Sequence, residues 1–111
     1  MKKMNKLFAF IAAATLFTSA HSGIASGSVR YVTIHSPDIL MFSAGPIGGG
    51  ASCASGTNQW AIKLSDPAGK GFLAVLLTAQ SQGKPVYVQG YTNTCRDWGD
   101  RELPTYIAIL D

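Results

Sequence analysis

The stretch from Ser65 to Gly83, S-D-P-A-G-K-G-F-L-A-V-L-L-T-A-Q-S-Q-G, constrains this chain more than any other. Ser65 or Asp66 can cap the first free backbone N–H groups, and Pro67 suits the opening position of a helix, where its missing N–H would have had no partner. Gly83 follows the last periodic residue and tolerates a left-handed terminus, and Lys84-Pro85 stops any continuation. Between these signals Ala68, Phe72, Val75, Leu76 and Ala79 recur at helical spacing and form one apolar stripe. The spacing predicts a helix over about 66–82. Outside the N-terminus no other stretch reads as a convincing helix, so this one is expected to plug a core made by strands.

Five strand signals surround it. Residues 28–35, S-V-R-Y-V-T-I-H, are rich in β-branched and aromatic side chains, although Tyr31-Val32 puts apolar groups on both faces. Ser36-Pro37-Asp38 is a turn signal and Ile39-Leu40-Met41-Phe42 a second strand, buried on both sides, so these two should make a hairpin. Trp60, Ile62 and Leu64 alternate on one face of a third strand that leads straight into the helix. After the helix, Val86 and Val88 alternate against Tyr87 and Gln89 in a fourth strand that carries on into Thr94-Cys95, and residues 105–110, T-Y-I-A-I-L, form a fifth. The order β-β-β-α-β-β, with the helix between the third and fourth strands, is that of the OB-fold, a five-stranded, partly open Greek-key barrel. The expected fold class is therefore mainly β. The competing arrangement is an α+β sheet with the helix lying across one face.

Residues 1–25 read as an export signal. Lys2, Lys3 and Lys6 form a basic start, and Leu7 to Phe17 an apolar core of about eleven residues, short of the roughly 20 that span a bilayer. The small-residue stretch T-S-A-H-S-G-I-A-S permits cleavage after Ala20 or Ala25, with Ala25 preferred. The mature chain, residues 26–111, is expected to be one OB-fold-like domain in the periplasm or outside the cell, with no later stretch able to cross a membrane. The full sequence has nine Lys and Arg against six Asp and Glu, a net charge of +3. Three of those cations belong to the leader. Arg30, Lys63, Lys70, Lys84, Arg96 and Arg101 remain against Asp38, Asp66, Asp97, Asp100, Glu102 and Asp111, a balance that gives no basis for a nucleic-acid partner.

A domain this small is marginally stable without a brace. Cys53 and Cys95 of an exported chain most simply pair, and closing a loop of about 40 residues would contribute roughly 4 kcal/mol. A zinc site would need more ligands than these two plus His35 and His21 provide, so no metal or cofactor is expected. The glycine-rich loop A-G-P-I-G-G-G-A-S, residues 44–52, lacks the Lys-Ser/Thr ending of a phosphate-binding loop and reads as a mobile connection that brings Cys53 into place.

The segments W-A-I-K-L-S-D-P-A-G-K (60–70), L-L-T-A-Q (76–80), G-K-P-V (83–86) and C-R-D-W-G-D (95–100) together resemble a group of small exported bacterial proteins similar to the B subunit of subtilase cytotoxin. The likeness covers most of the mature chain in pattern. It implies an OB-fold of the bacterial toxin B-subunit type, pairing of the two cysteines, ring-shaped pentamers, and glycan binding as in the toxin relatives. The chain also departs from the toxin subunit, which binds sialylated glycans partly through a segment near its N-terminus held by an additional disulfide. No glycan-contacting position carries over, and neither an A-type subunit nor toxicity follows.

Two surfaces stand out. Trp98, flanked by Arg96, Asp97, Asp100 and Arg101 just beyond Cys95, could stack on a sugar ring while the charged groups bond its hydroxyls. The plainer alternative is that Trp98 covers the disulfide and Asp100 caps a turn. On the helix, Leu73 and Leu77 point away from the apolar stripe and, with Gly71 and Ala74, would mark an interface between copies unless loops cover them. Catalysis has less support. Asp97, Asp100 and Glu102 could in principle pair as acid and base, but so small a chain has little room for a cleft, no serine sits in a nucleophile elbow, and His35 lies on a strand without an evident partner. The expectation is a non-enzymatic module that binds a glycan or cell-surface ligand, with a protein-interaction or structural module of the cell envelope as the alternative.

Overall fold

The computed structural model describes residues 22–111. The basic and apolar parts of the expected leader, Ala20 and His21 lie outside the described residues.

Six strands and one helix follow one another: β1 (Ile24–Gly27), β2 (Arg30–His35), β3 (Ile39–Ser43), β4 (Trp60–Lys63), α1 (Gly69–Gln82), β5 (Val86–Gly90) and β6 (Pro104–Ile109). They form two three-stranded antiparallel sheets, β1-β5-β6 and β2-β3-β4. The fold is mainly β, as expected, but the five-stranded, partly open Greek-key barrel is corrected to six strands in two separate open sheets. A parallel bridge between Trp60 and Glu102 links the sheets. Pro104, next along, has no N–H with which to extend that bridge into β6.

The strand missing from the sequence reading is β1. Ile24-Ala25-Ser26-Gly27 has little β propensity, and its small residues look like a leader's cleavage region. Nevertheless it pairs along its length with β5, Ala25 opposite Val88 and Gly27 opposite Val86, and Ala25 is buried. The hairpin of β2 and β3 forms as expected, with His35 opposite Ile39 and Ile34 opposite Leu40. A register shift between Arg30 and Thr33, with Tyr31 at φ 57°, accounts for the broken alternation there: a bulge rotates the strand so that successive side chains no longer alternate. β5, read from the sequence as the fourth strand, stops at Gly90 rather than continuing to Cys95, and residues 91–103 form a long connection.

One core cluster joins both sheets to the helix, with Ala25, Val86 and Val88 from one sheet, Leu40, Phe42, Trp60 and Ile62 from the other, and Phe72, Leu76 and Ala79 from α1. The Phe42 ring stacks 6.5 Å from Trp60 and 6.4 Å from Phe72. The helix begins at Gly69 instead of Asp66 because Asp66 is used one turn early: its Oδ1 accepts the Ala68 N–H at 2.9 Å, closing a local turn that competes with helix. Consequently Ala68 is exposed, Val75 is half-buried, and Gly69 takes the first buried place in the stripe. The stop is as read: Gly83 sits at φ 65°, and the Lys84 N–H reaches back to the Ala79 carbonyl at 2.9 Å.

Candidate functional site

Cys53 and Cys95 form a disulfide across a separation of 42 residues, with Cα atoms 6.1 Å apart. It ties the glycine-rich loop to the β5–β6 connection. That loop is pinned at several further points. Ile24 and Gly48 exchange both backbone hydrogen bonds, Asn58 Oδ1 accepts the Ile47 N–H at 3.0 Å, and Asn93 Oδ1 accepts from the Ser52 N–H at 2.9 Å and the Ser52 hydroxyl at 2.8 Å.

The deepest anchor is Glu102, which is fully buried. Its Oε2 accepts the Gly23 N–H at 2.5 Å and its Oε1 the Ala51 N–H at 2.6 Å. Gly90 makes room for it, since a Cβ there would collide with the carboxyl group. One side chain thus joins the N-terminal segment, the glycine-rich loop and the end of β5. Sequence reasoning grouped Glu102 with Asp97 and Asp100 as carboxylates that could in principle pair as acid and base. In the fold its oxygens face main chain, and it has no face open to a substrate.

The five residues expected to surround a sugar divide among three sets of partners. Arg96 lies between two carboxylates, its Nε bonded to Asp97 Oδ1 at 2.7 Å and its Nη2 to Asp66 Oδ2 at 2.6 Å. Asp97 also accepts the Lys63 N–H at 2.9 Å, which fastens the connection to the end of β4. The Arg96 guanidinium, with the Lys63 N–H second, holds the Asp97 carboxyl below its ordinary range. The Ala68 N–H, followed by Arg96, does the same for Asp66. Asp97 and then Asp66 push the Arg96 guanidinium upward in turn.

Arg101 belongs to a second group, pairing with Asp100 at 2.5 Å and reaching Gln59 Oε1 at 3.3 Å. Trp98 belongs to a third. It packs on Ile39, Met41 and Ala61, on the face of β3 and β4 turned away from the main core, with its ring edge-on to His35 at 4.7 Å. It covers this face of the sheet, and the double-sided burial read for 39–42 comes from this lid. Of the helix residues, Leu73 packs against the core, Leu77 is 49% exposed, and Gly71 and Ala74 are exposed.

A different aromatic faces outward. Tyr91, the first residue of the connection, is 56% exposed. It lines two neighbouring hollows, one of about 340 Å³ with Ser22, Gln89 and Thr92, and one of about 230 Å³ with Asp66, Arg96 and Pro104. Sequence reasoning missed it because a tyrosine at a strand end has no local mark separating a core residue from a surface one. Among the described residues no group of three or more His, Cys, Asp or Glu is placed to hold a metal ion. The arrangement is a braced polar connection on a two-sheet β domain. No protein-family model, curated protein or solved structure matches this chain.

Proposed function

We propose that this chain is an exported, non-enzymatic binding module similar in role to bacterial toxin B subunits, which offers its β5–β6 connection to a glycan or other cell-surface ligand. The observation that carries this reading is the bracing of residues 91–103. A disulfide, Asn93, Asp97 and Glu102 fix the connection to three other parts of the chain, the glycine-rich loop, the end of β4 and the N-terminal segment, yet it still presents exposed Tyr91 and Arg96. A recognition surface ordered in advance loses less entropy on binding than a loose loop. Export is supported by the disulfide, which persists in oxidising compartments, while no described helix is long and apolar enough to cross a membrane. In this reading the leader ends at Ala20, the other position that the small-residue pattern allows, because cutting after Ala25 would remove half of β1 and the Gly23 N–H held by Glu102. Binding of the purified protein to a glycan array and to intact cells tests the proposal. Failure on both surfaces refutes it.

A second reading, assembly into rings as a cell-envelope interaction module, is favoured by the outward face of α1. Leu77, Gly71 and Ala74 lie exposed there beside half-buried Leu73, an apolar and small-residue surface suited to a second copy. The parent is then expected to run as an oligomer in native mass spectrometry, five chains by the resemblance, and Leu77→Lys as a single chain. A parent that is already monomeric removes this reading.

A further inference from the structure

We infer that the surface on both sides of Tyr91 is a binding site for an uncharged saccharide, an inference that rests on the glycan-binding reading above and gives it a location and a ligand class. The backbone of Tyr91 is fixed, its N–H donating to the Leu103 carbonyl at 2.8 Å, while its side chain stands largely in solvent. A hollow lies on either side of it, and Thr105 borders both. A pyranose can lay its C–H face on such a ring and place its hydroxyls in the flanking hollows, where hydroxyl and amide groups satisfy them.

Those groups are available. The side-chain bonds in this region run to main-chain oxygens, from Thr94 Oγ1 to Thr92 O and from Thr105 Oγ1 to Gln89 O, so among the described residues the Gln89 amide and the Thr92 and Tyr91 hydroxyls keep their bonding capacity. The hollow in the glycine-rich loop, about 200 Å³, differs in this respect: its Asn58 and Gln59 oxygens already accept from Ile47 and Arg101.

Charge selects the class of sugar. Among the described residues, the hollow beside Ser22, Gln89 and Thr92 is lined by no ionisable group other than Tyr91 itself. In the other, the single cation, Arg96, is matched by Asp66 and Asp97. A sialylated or phosphorylated ligand would find the guanidinium already neutralised by Asp66 in the hollow and Asp97 behind it, with no free cation among the lining residues to pair its charge, so neutral sugars are favoured.

The test is an array carrying neutral and sialylated oligosaccharides, probed with the mature protein and followed by calorimetric titration of a neutral oligosaccharide retained on it. Neutral glycans should be retained. Tyr91→Ala should weaken the titrated affinity by about ten-fold or more, the effect of losing one aromatic stacking contact. Thr105→Lys, which crowds both hollows from a second position, should weaken it comparably, and Tyr31→Ala, on an exposed tyrosine of the other sheet, should leave it unchanged. Circular dichroism of each variant should match the parent. Binding that survives both Tyr91→Ala and Thr105→Lys, or that is confined to sialylated glycans, overturns this site while the glycan reading stands. Binding to no saccharide at all overturns both.

Discussion

Replacing Glu102 tests how the domain is held together. Its two carboxyl oxygens each accept one main-chain N–H, from Gly23 at 2.5 Å and Ala51 at 2.6 Å, inside a fully buried site. Hydrogen bonds to a charged group contribute roughly 1.5–3 kcal/mol each, and an N–H left buried without a partner costs about 1–3 kcal/mol. Glu102→Ala removes both bonds and leaves a cavity, so a loss of about 3–6 kcal/mol is expected, a large part of the 5–15 kcal/mol typical of whole domains. Glu102→Gln keeps the volume but turns an NH₂ group toward one of the two amide donors. One bond is replaced by a donor–donor clash, and the expected loss is about 2–3 kcal/mol. Urea unfolding reads both variants. With a slope of 1–3 kcal/mol/M, the alanine variant should lower the midpoint by about 2 M, and the glutamine variant by about half as much. Hydrogen exchange at the Gly23 and Ala51 amides should accelerate in both. A Glu102→Gln protein within about 0.5 kcal/mol of the parent, with those amides still protected, would refute the account.

Serine at both Cys53 and Cys95 should lower stability by roughly 4 kcal/mol in urea titration, given the 42-residue separation; a change below about 1 kcal/mol would show that the hydrogen bonds of the glycine-rich loop already restrain it. Asp66 and Asp97 are held below their usual 3.8, so their contribution is fully present above that value and is lost as pH falls through the lower folded values. Acid titration of the unfolding free energy should therefore show a decline below about pH 4 that is shallower in Arg96→Met, and identical slopes would remove Arg96 as its cause. Intact mass of the exported protein should correspond to a chain beginning at His21. A chain beginning at Ser26 that keeps the parent's stability would show that the pairing of Ile24 and Ala25 with β5 is dispensable.

What could be read in the sequence was what neighbours in the chain decide. Gly83-Lys84-Pro85 ends α1 where it was expected to, because a left-handed cap and a proline act within three residues of each other. The turn between β2 and β3 and the alternation of Val86 and Val88 are equally local. The start of α1 was misplaced by a competition between two local structures, in which Asp66 preferred the turn at Ala68 to the helix cap. The rest depends on distant partners. Glu102 and Gly23 lie 79 residues apart, and no spacing in the sequence marks them as a pair. β1 had to be seen against β5 to be recognised as a strand, since a four-residue segment with three small residues gains its stability from the sheet it completes more than from intrinsic preference.

Trp98 and its charged neighbours show how little composition reveals of what a side chain is already bonded to. A tryptophan among five ionisable residues looks like a binding site, but each of those groups is engaged within the fold: Arg96 by Asp66 and Asp97, Arg101 by Asp100 and Gln59, Glu102 by two backbone N–H groups, and the indole by β3 and β4. Such internal pairing fixes the shape of the segment. A ligand that had to break it would repay the lost ion pairs and buried bonds before gaining anything. Tyr91 and Thr92, ordinary in sequence, have no such commitments, and the same ion pairs that occupy Arg96 keep the ground beneath Tyr91 rigid. Charge here holds the scaffold, and under the proposed reading the groups offered to a partner are an aromatic ring and a rim of neutral hydroxyls and amides.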